Sequence, residues 1–106
     1  NTFYCDFDGT KVFGIETNGK NWFHLPDVAN ALGVKEIGTE LFLEIPLKSE
    51  FGKGSSKLFT DEYGIYRLSF ESDSSIARKI RLFYFEAAKN DDVVWIEDLF
   101  PRVRTA

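Results

Sequence analysis

The chain of 106 residues contains one cysteine, Cys5, one histidine, His24, and no methionine. A lone cysteine excludes an internal disulfide framework, and with a lone histidine it leaves too few soft ligands for a structural zinc site. A reducing, intracellular setting is the expectation. No apolar run approaches the ~20 residues that a membrane-spanning helix needs, and the N-terminus lacks the basic-then-apolar layout of a signal peptide. Neither secretion nor a membrane partner is expected. The absence of methionine even at position 1 reads as a chain processed or cut from a longer protein, so a further C-terminal domain is an expectation too. Basic charge is also in short supply. Thirteen Lys and Arg against seventeen Asp and Glu give a net charge of −4, which argues against coating nucleic acid by bulk charge.

Apolar and aromatic residues are plentiful, at 43% and 16% with eleven Phe, enough for a stiff core in a single domain spanning residues 1–106. The first 24 residues read as a three-stranded meander. Phe3, Cys5 and Phe7 alternate with polar positions, Asp8-Gly9 and Asn18-Gly19 are two-residue turn signals, and Val12-Phe13 and Trp22-Phe23 sit in the following strands. Pro26 near a helix start, Asp27 in the first turn and Gly33 as a stop predict a short helix over 26–32, with Val28 and Leu32 inward. Residues 41–47, LFLEIPL, read as a strand kept near an edge by Pro46. SEFGKGSSK then reads as a loop and KLFT as an extended segment, giving a hairpin with Lys53 and Lys57 at its tip.

Thr60 or Asp61 is placed to cap a helix carrying Ile65 and Leu68. Ile76 to Lys89 is the clearest helix. Ile76, Ile80, Phe83 and Ala87 recur on one side, with Arg78, Arg81, Phe85 and Lys89 on the other. WIEDLFPRVR predicts a last short helix ending near Pro101. The expected fold is therefore α+β: an N-terminal antiparallel β-meander and a further β-hairpin packed with three to four short α-helices.

Charge is polarised along this map. Residues 1–50 hold four basic and eight acidic side chains, 76–89 hold four and one, and 90–98 hold four acidic side chains and no basic one. Arg78, Lys79 and Arg81 form one basic cluster, Arg102 and Arg104 a second, and Lys53 with Lys57 a third. Together they are the candidate phosphate contacts for DNA. Asp91, Asp92, Glu97 and Asp98 form the alternative, an acidic surface for a basic protein partner.

Three motifs suggest chemistry and are better explained by structure. YCDFDGT resembles the first motif of haloacid-dehalogenase phosphatases, with Asp6 as nucleophile, Asp8 as acid and Asp91-Asp92 as a late acidic motif. That motif belongs at the end of a parallel strand, whereas here Asp8-Gly9 leads into another strand, KVFGIE, so a hairpin turn is expected. GKGSSK lacks the spacing of a phosphate-binding loop. His24 and Cys5 have no triad-like neighbours in sequence.

Four blocks in order resemble the Bro-N domain, the N-terminal module of baculovirus repeated-ORF proteins and prophage antirepressors. The first is NGKNWFHLPDVANALGV, through Asn18, Gly19, Trp22, Phe23, Asp27, Val28, Ala29, Ala31, Leu32 and Gly33. The second is LFTDEYGIYRLSFES, through Phe59, Glu62, Gly64, Ile65, Tyr66, Arg67 and Leu68. The third is SSIARKIRLFYFEAA and the fourth VWIEDLFPRVR, with AKNDDVV intervening between them. The resemblance spans about residues 11–104. It implies a viral or phage regulatory domain in a host cytoplasm or nucleus, linked to DNA binding or to antirepression, with no catalysis and no cofactor.

Overall fold

The computed structural model describes residues 1–52 and 54–103. The chain opens with β1 (Thr2–Phe7), β2 (Thr10–Thr17) and β3 (Lys20–His24) in an antiparallel meander. Its two turns use residues that tolerate positive φ: Asp8 and Asn18 at 53° and 54°, followed by Gly9 and Gly19 at 105° and 75°. Positive φ at both central positions gives a turn whose twist matches that of the strands. Alternation then puts Phe3, Cys5, Phe7, Val12 and Phe23 on the buried face. Gly14 belongs to that face, and a Cβ there would strike the ring of Phe3.

β3 runs directly into α1 (Leu25–Leu32), with Pro26 in its first turn and Gly33 at its C-terminal end with φ 77°. Asp27 of this helix reaches back to the sheet, its Oδ2 accepting the Phe13 N–H at 2.9 Å. The predicted strand over 41–47 is not present. Residues Thr39–Glu44 form α2, and the strand begins only at Leu47. A short apolar run does not by itself distinguish a helix from a strand. Here Leu41 and Ile45 are buried one helical turn apart, and the extended conformation of Ile45, ψ 145°, is the one a residue before proline favours.

A hairpin does form here, but not from the predicted strand at 41–47: its first strand lies mostly within the expected loop, and its second extends KLFT back to Ser55. β4 (Leu47–Gly52) pairs with β5 (Ser55–Thr60). β5 also pairs with β3, giving a five-stranded antiparallel sheet in the order β1-β2-β3-β5-β4.

Of the two predicted caps, Asp61 is the one used: its carboxylate accepts the Gly64 N–H at the start of α3 (Glu62–Leu68). A 3₁₀ turn (Ser69–Glu71) leads to α4 (Ser75–Lys89). Ser74 caps α4 by accepting the Ala77 N–H, and donates its own hydroxyl to the Leu32 carbonyl at 2.6 Å, pinning α4 to the end of α1. α5 (Ile96–Leu99) follows. The chain then returns along β1. Asp6 donates its N–H to the Pro101 carbonyl and Val103 donates its own to Tyr4, so this sheet edge is covered. Phe100 stacks on Phe7 with centroids 4.3 Å apart.

The architecture is α+β, with one helix, α2, where a strand was expected. Among the described residues no helix is long and apolar enough to cross a membrane.

Two predictions follow from this packing. Gly64 lies against Thr60, where an added Cβ would collide with the side chain. Thr60 is buried and cannot swing aside without releasing its 2.7 Å bond to the Pro46 carbonyl. Gly64→Ala should cost about 2 kcal/mol, as overpacked cores do, readable as a lower urea midpoint. Burial is also the main cause that pushes the Cys5 thiol up to about 12. The native protein should therefore resist an aromatic disulfide reagent at mildly alkaline pH and react promptly once denatured.

Candidate functional site

The three predicted basic clusters do not form one surface. Lys53 and Arg104 lie outside the described residues. Lys57 projects from the sheet face opposite the helices, with Nζ 5.4 Å from the centroid of Phe13, and it is paired in register with Glu50. Lys79 binds Asp8 at 2.9 Å and sits over Phe100. Arg78 is 3.4 Å from Asp73.

Arg81 was expected on the exposed side of α4. Its guanidinium instead turns inward to donate to the Ser69 and Ser72 carbonyls, which makes it a clamp on the 3₁₀ turn. Arg102 lies over the Phe3 ring, 4.0 Å from its centroid, and binds Glu97 at 2.5 Å and Glu16 at 3.6 Å. Every described member of the predicted basic set thus already has an acidic, carbonyl or aromatic neighbour.

The catalytic-looking motif resolves in the same way. Asp6 accepts the Gly9 N–H and Asp8 holds Lys79, so both carboxylates serve the first hairpin turn. His24 Nδ1 is 3.2 Å from Asp27, and its ring packs against Phe59.

The acidic quartet also divides. Asp91 and Asp92 are exposed just beyond α4, where Asp91 adopts φ 57° and both donate backbone N–H groups to the last turn of the helix. Asp98 accepts the Trp95 N–H at the start of α5. Glu97 has a different setting, because it lines a cleft of about 520 Å³ together with Glu16, Lys20, Asn21, Asp61, Glu62, Tyr63, Trp95 and Arg102. These residues come from the β2–β3 turn, the start of α3, the start of α5 and the C-terminal segment. Four carboxylates face two cations there.

A hydrogen-bond network holds the cleft open. Asn21 donates to Glu97 Oε1 at 2.5 Å while Arg102 Nε donates to Glu97 Oε2, so one carboxylate joins the second hairpin to the C-terminal segment. Lys20 Nζ lies 2.9 Å from Asp61 and 4.7 Å from the centroid of Trp22. At the floor, Glu62 Oε1 accepts both the Tyr84 hydroxyl, 2.7 Å, and the Ile96 N–H, 2.8 Å. Tyr63 and Trp95 flank these groups at 52% and 59% exposure, high for rings that could have packed inward. The sequence pointed to Glu97 as an acidic contact and to Arg102 as a phosphate contact, without bringing the two together. The remaining members are scattered across eighty residues, and only the topology brings them together.

No family model matches this chain, and no significant match was found among curated proteins or solved structures.

Burial raises the pKa of Glu62 against the lowering effect of its Tyr84 and Ile96 hydrogen bonds, and burial with the nearby carboxylate pushes the Tyr84 phenol up. A raised carboxylate binds its proton more tightly in the folded state than in the unfolded one. Its stabilisation is therefore full at low pH and is lost as pH rises through the folded value. Relative to Glu62→Gln, the wild type should lose stability as pH rises above the ordinary carboxylate range. Paired urea melts across that rise check this, and a difference that does not change with pH refutes it.

Proposed function

We propose that this domain is a non-enzymatic regulatory module that binds a basic protein, taking an arginine or lysine side chain into the cleft between Tyr63 and Trp95. The observation that carries the reading is the composition of the cleft: Glu16, Asp61, Glu62 and Glu97 against Lys20 and Arg102, with two exposed aromatic rings alongside. Aromatic side chains in a concave site are the usual anchors of protein interfaces, and carboxylates beside them select a cation. Aromatic faces also attract an alkylammonium or guanidinium group directly. A regulator of the antirepressor type, as the sequence resemblance suggests, would use such a cleft to occupy the DNA-reading side chains of a repressor.

The DNA reading has less support. Phosphate binding needs cations that can be given up to the ligand. Lys79 and Arg102 are engaged with Asp8 and the Glu97–Glu16 pair, and Arg81 with backbone carbonyls, which leaves Arg78, whose contact with Asp73 joins two exposed side chains, as the freer cation among these four.

Fluorescence anisotropy with a labelled oligo-arginine peptide tests the proposal, with an oligo-glutamate peptide and a labelled DNA duplex as comparators. The arginine peptide should bind, less tightly as salt rises. Tyr63→Ala combined with Trp95→Ala should weaken it by about tenfold, the scale of losing an interface anchor. The proposal is overturned if the arginine peptide does not bind or binds equally well to the double variant. It is also overturned if the duplex is the preferred ligand and is lost on replacing Arg78 and Lys79 with Ala.

A further inference from the structure

The exposed side of α4 plays no part in the cleft and carries an unusual stripe. Ser75, Arg78, Leu82, Phe85 and Lys89 follow one another at alternating spacings of three and four residues, the period of a helix seam that packs against another helix. Leu82 is 60% exposed and Phe85 61%, and Phe70, 52% exposed, extends the patch from the 3₁₀ turn. Tyr66, Phe70, Arg81, Leu82 and Phe85 line a groove of about 310 Å³. A contiguous apolar patch of this kind marks an interaction surface.

The charges on α4 identify the occupant. α4 runs from Ser75 to Lys89, so Leu82 is its central residue. A twofold axis passing beside Leu82 would set two copies of the helix antiparallel, with each residue facing the one equally far beyond the centre. Leu82 then meets Leu82 of the second copy, and Arg78, four residues before the centre, meets Glu86, four residues after it. The same pair forms twice. A surface complementary to itself in both apolar and charged groups is what a twofold dimer requires.

We infer that the domain self-associates through α4 as an antiparallel, twofold-symmetric helix pair centred on Leu82. Two fifteen-residue helices with one apolar stripe each bury an area at the small end of specific interfaces, below about 1,200 Å². The dimer is accordingly weak and dependent on concentration.

Sedimentation velocity over a concentration series is the test. The wild type should shift from monomer to dimer as concentration rises, and Leu82→Glu should stay monomeric with an unchanged thermal melt, since the position is exposed. Arg78→Glu alone and Glu86→Arg alone should each weaken dimerisation by about fivefold or more, because each sets like charges opposite one another twice. The two changes combined should restore it. Residues 78 and 86 are about 12 Å apart along one helix, beyond the i, i+4 contact distance, so restoration reports pairing between copies. Arg78 contributes little to the fold, as its contact with Asp73 joins two exposed side chains. A wild type that remains monomeric up to millimolar concentration overturns the inference. So does a dimer indifferent to Leu82→Glu, or a double charge reversal that fails to restore association.

Discussion

One partly buried carboxylate, Glu62, joins three helices, and the shape of the candidate site depends on it. Glu62 begins α3, accepts the hydroxyl of Tyr84 from the middle of α4, and accepts the first N–H of α5 at Ile96. The Ile96 N–H is one of the donors that a helix start leaves without an intrahelical partner. By accepting it, Glu62 fixes where α5 begins, and therefore where Trp95 and Glu97 stand on either side of that point. The arrangement opposes the preference of a carboxylate for water. Two hydrogen bonds to one oxygen offset much of the desolvation, and what remains unbalanced appears as the raised pKa.

The same economy governs the charged residues. A chain with net charge −4 has more carboxylates than it can pair, and the fold uses its scarce cations as ties. Lys79 connects α4 to the first hairpin turn, Arg81 holds the 3₁₀ turn, and Arg102 joins the C-terminal segment to the second hairpin through Glu97 and Glu16. Exposed ion pairs of this kind contribute little stability individually. Their effect is positional. They consume the basic groups that the linear sequence presents as a DNA-binding set and leave the surplus carboxylates where the topology collects them, in the cleft.

Much of the fold was legible because its signals are local. Asp-Gly and Asn-Gly force hairpins through their positive φ, Pro26 and Gly33 bracket α1, and the apolar spacing from Ile76 to Ala87 describes α4. Where the signal is tertiary, the sequence misleads. Leu41 and Ile45 give no period long enough to separate helix from strand, and the outcome rests on which face the core buries. The inward turn of Arg81 is likewise set by two carbonyls nine and twelve residues away, invisible to a helical wheel. Some positions that carry the family resemblance acquire physical roles here: Asp27 accepts from Phe13, Glu62 anchors α5 and Gly64 makes room for Thr60. The candidate site was the least legible part: Glu97 and Arg102 stood out in sequence only as members of opposite charge clusters, and it is the topology that sets them in one cleft with Lys20, Asp61 and Tyr63.

The cleft also contains an internal example of the contact proposed for its ligand. The Arg102 guanidinium lies over an aromatic ring, Phe3, while its nitrogens reach two carboxylates, Glu97 and Glu16. The surroundings therefore already stabilise that chemical group, held in position by backbone bonds between residues 101–103 and β1. An incoming cation does not need to displace it. Glu97 is doubly committed to Asn21 and Arg102, whereas Asp61 is met by Lys20, whose side chain is more than half exposed and so readily moved. Exchange of Lys20 for a partner's guanidinium at Asp61, beside Tyr63 and Trp95, is the least costly route into the site. It leaves the Glu97–Arg102 tie intact and brings the new charge beside two half-exposed rings.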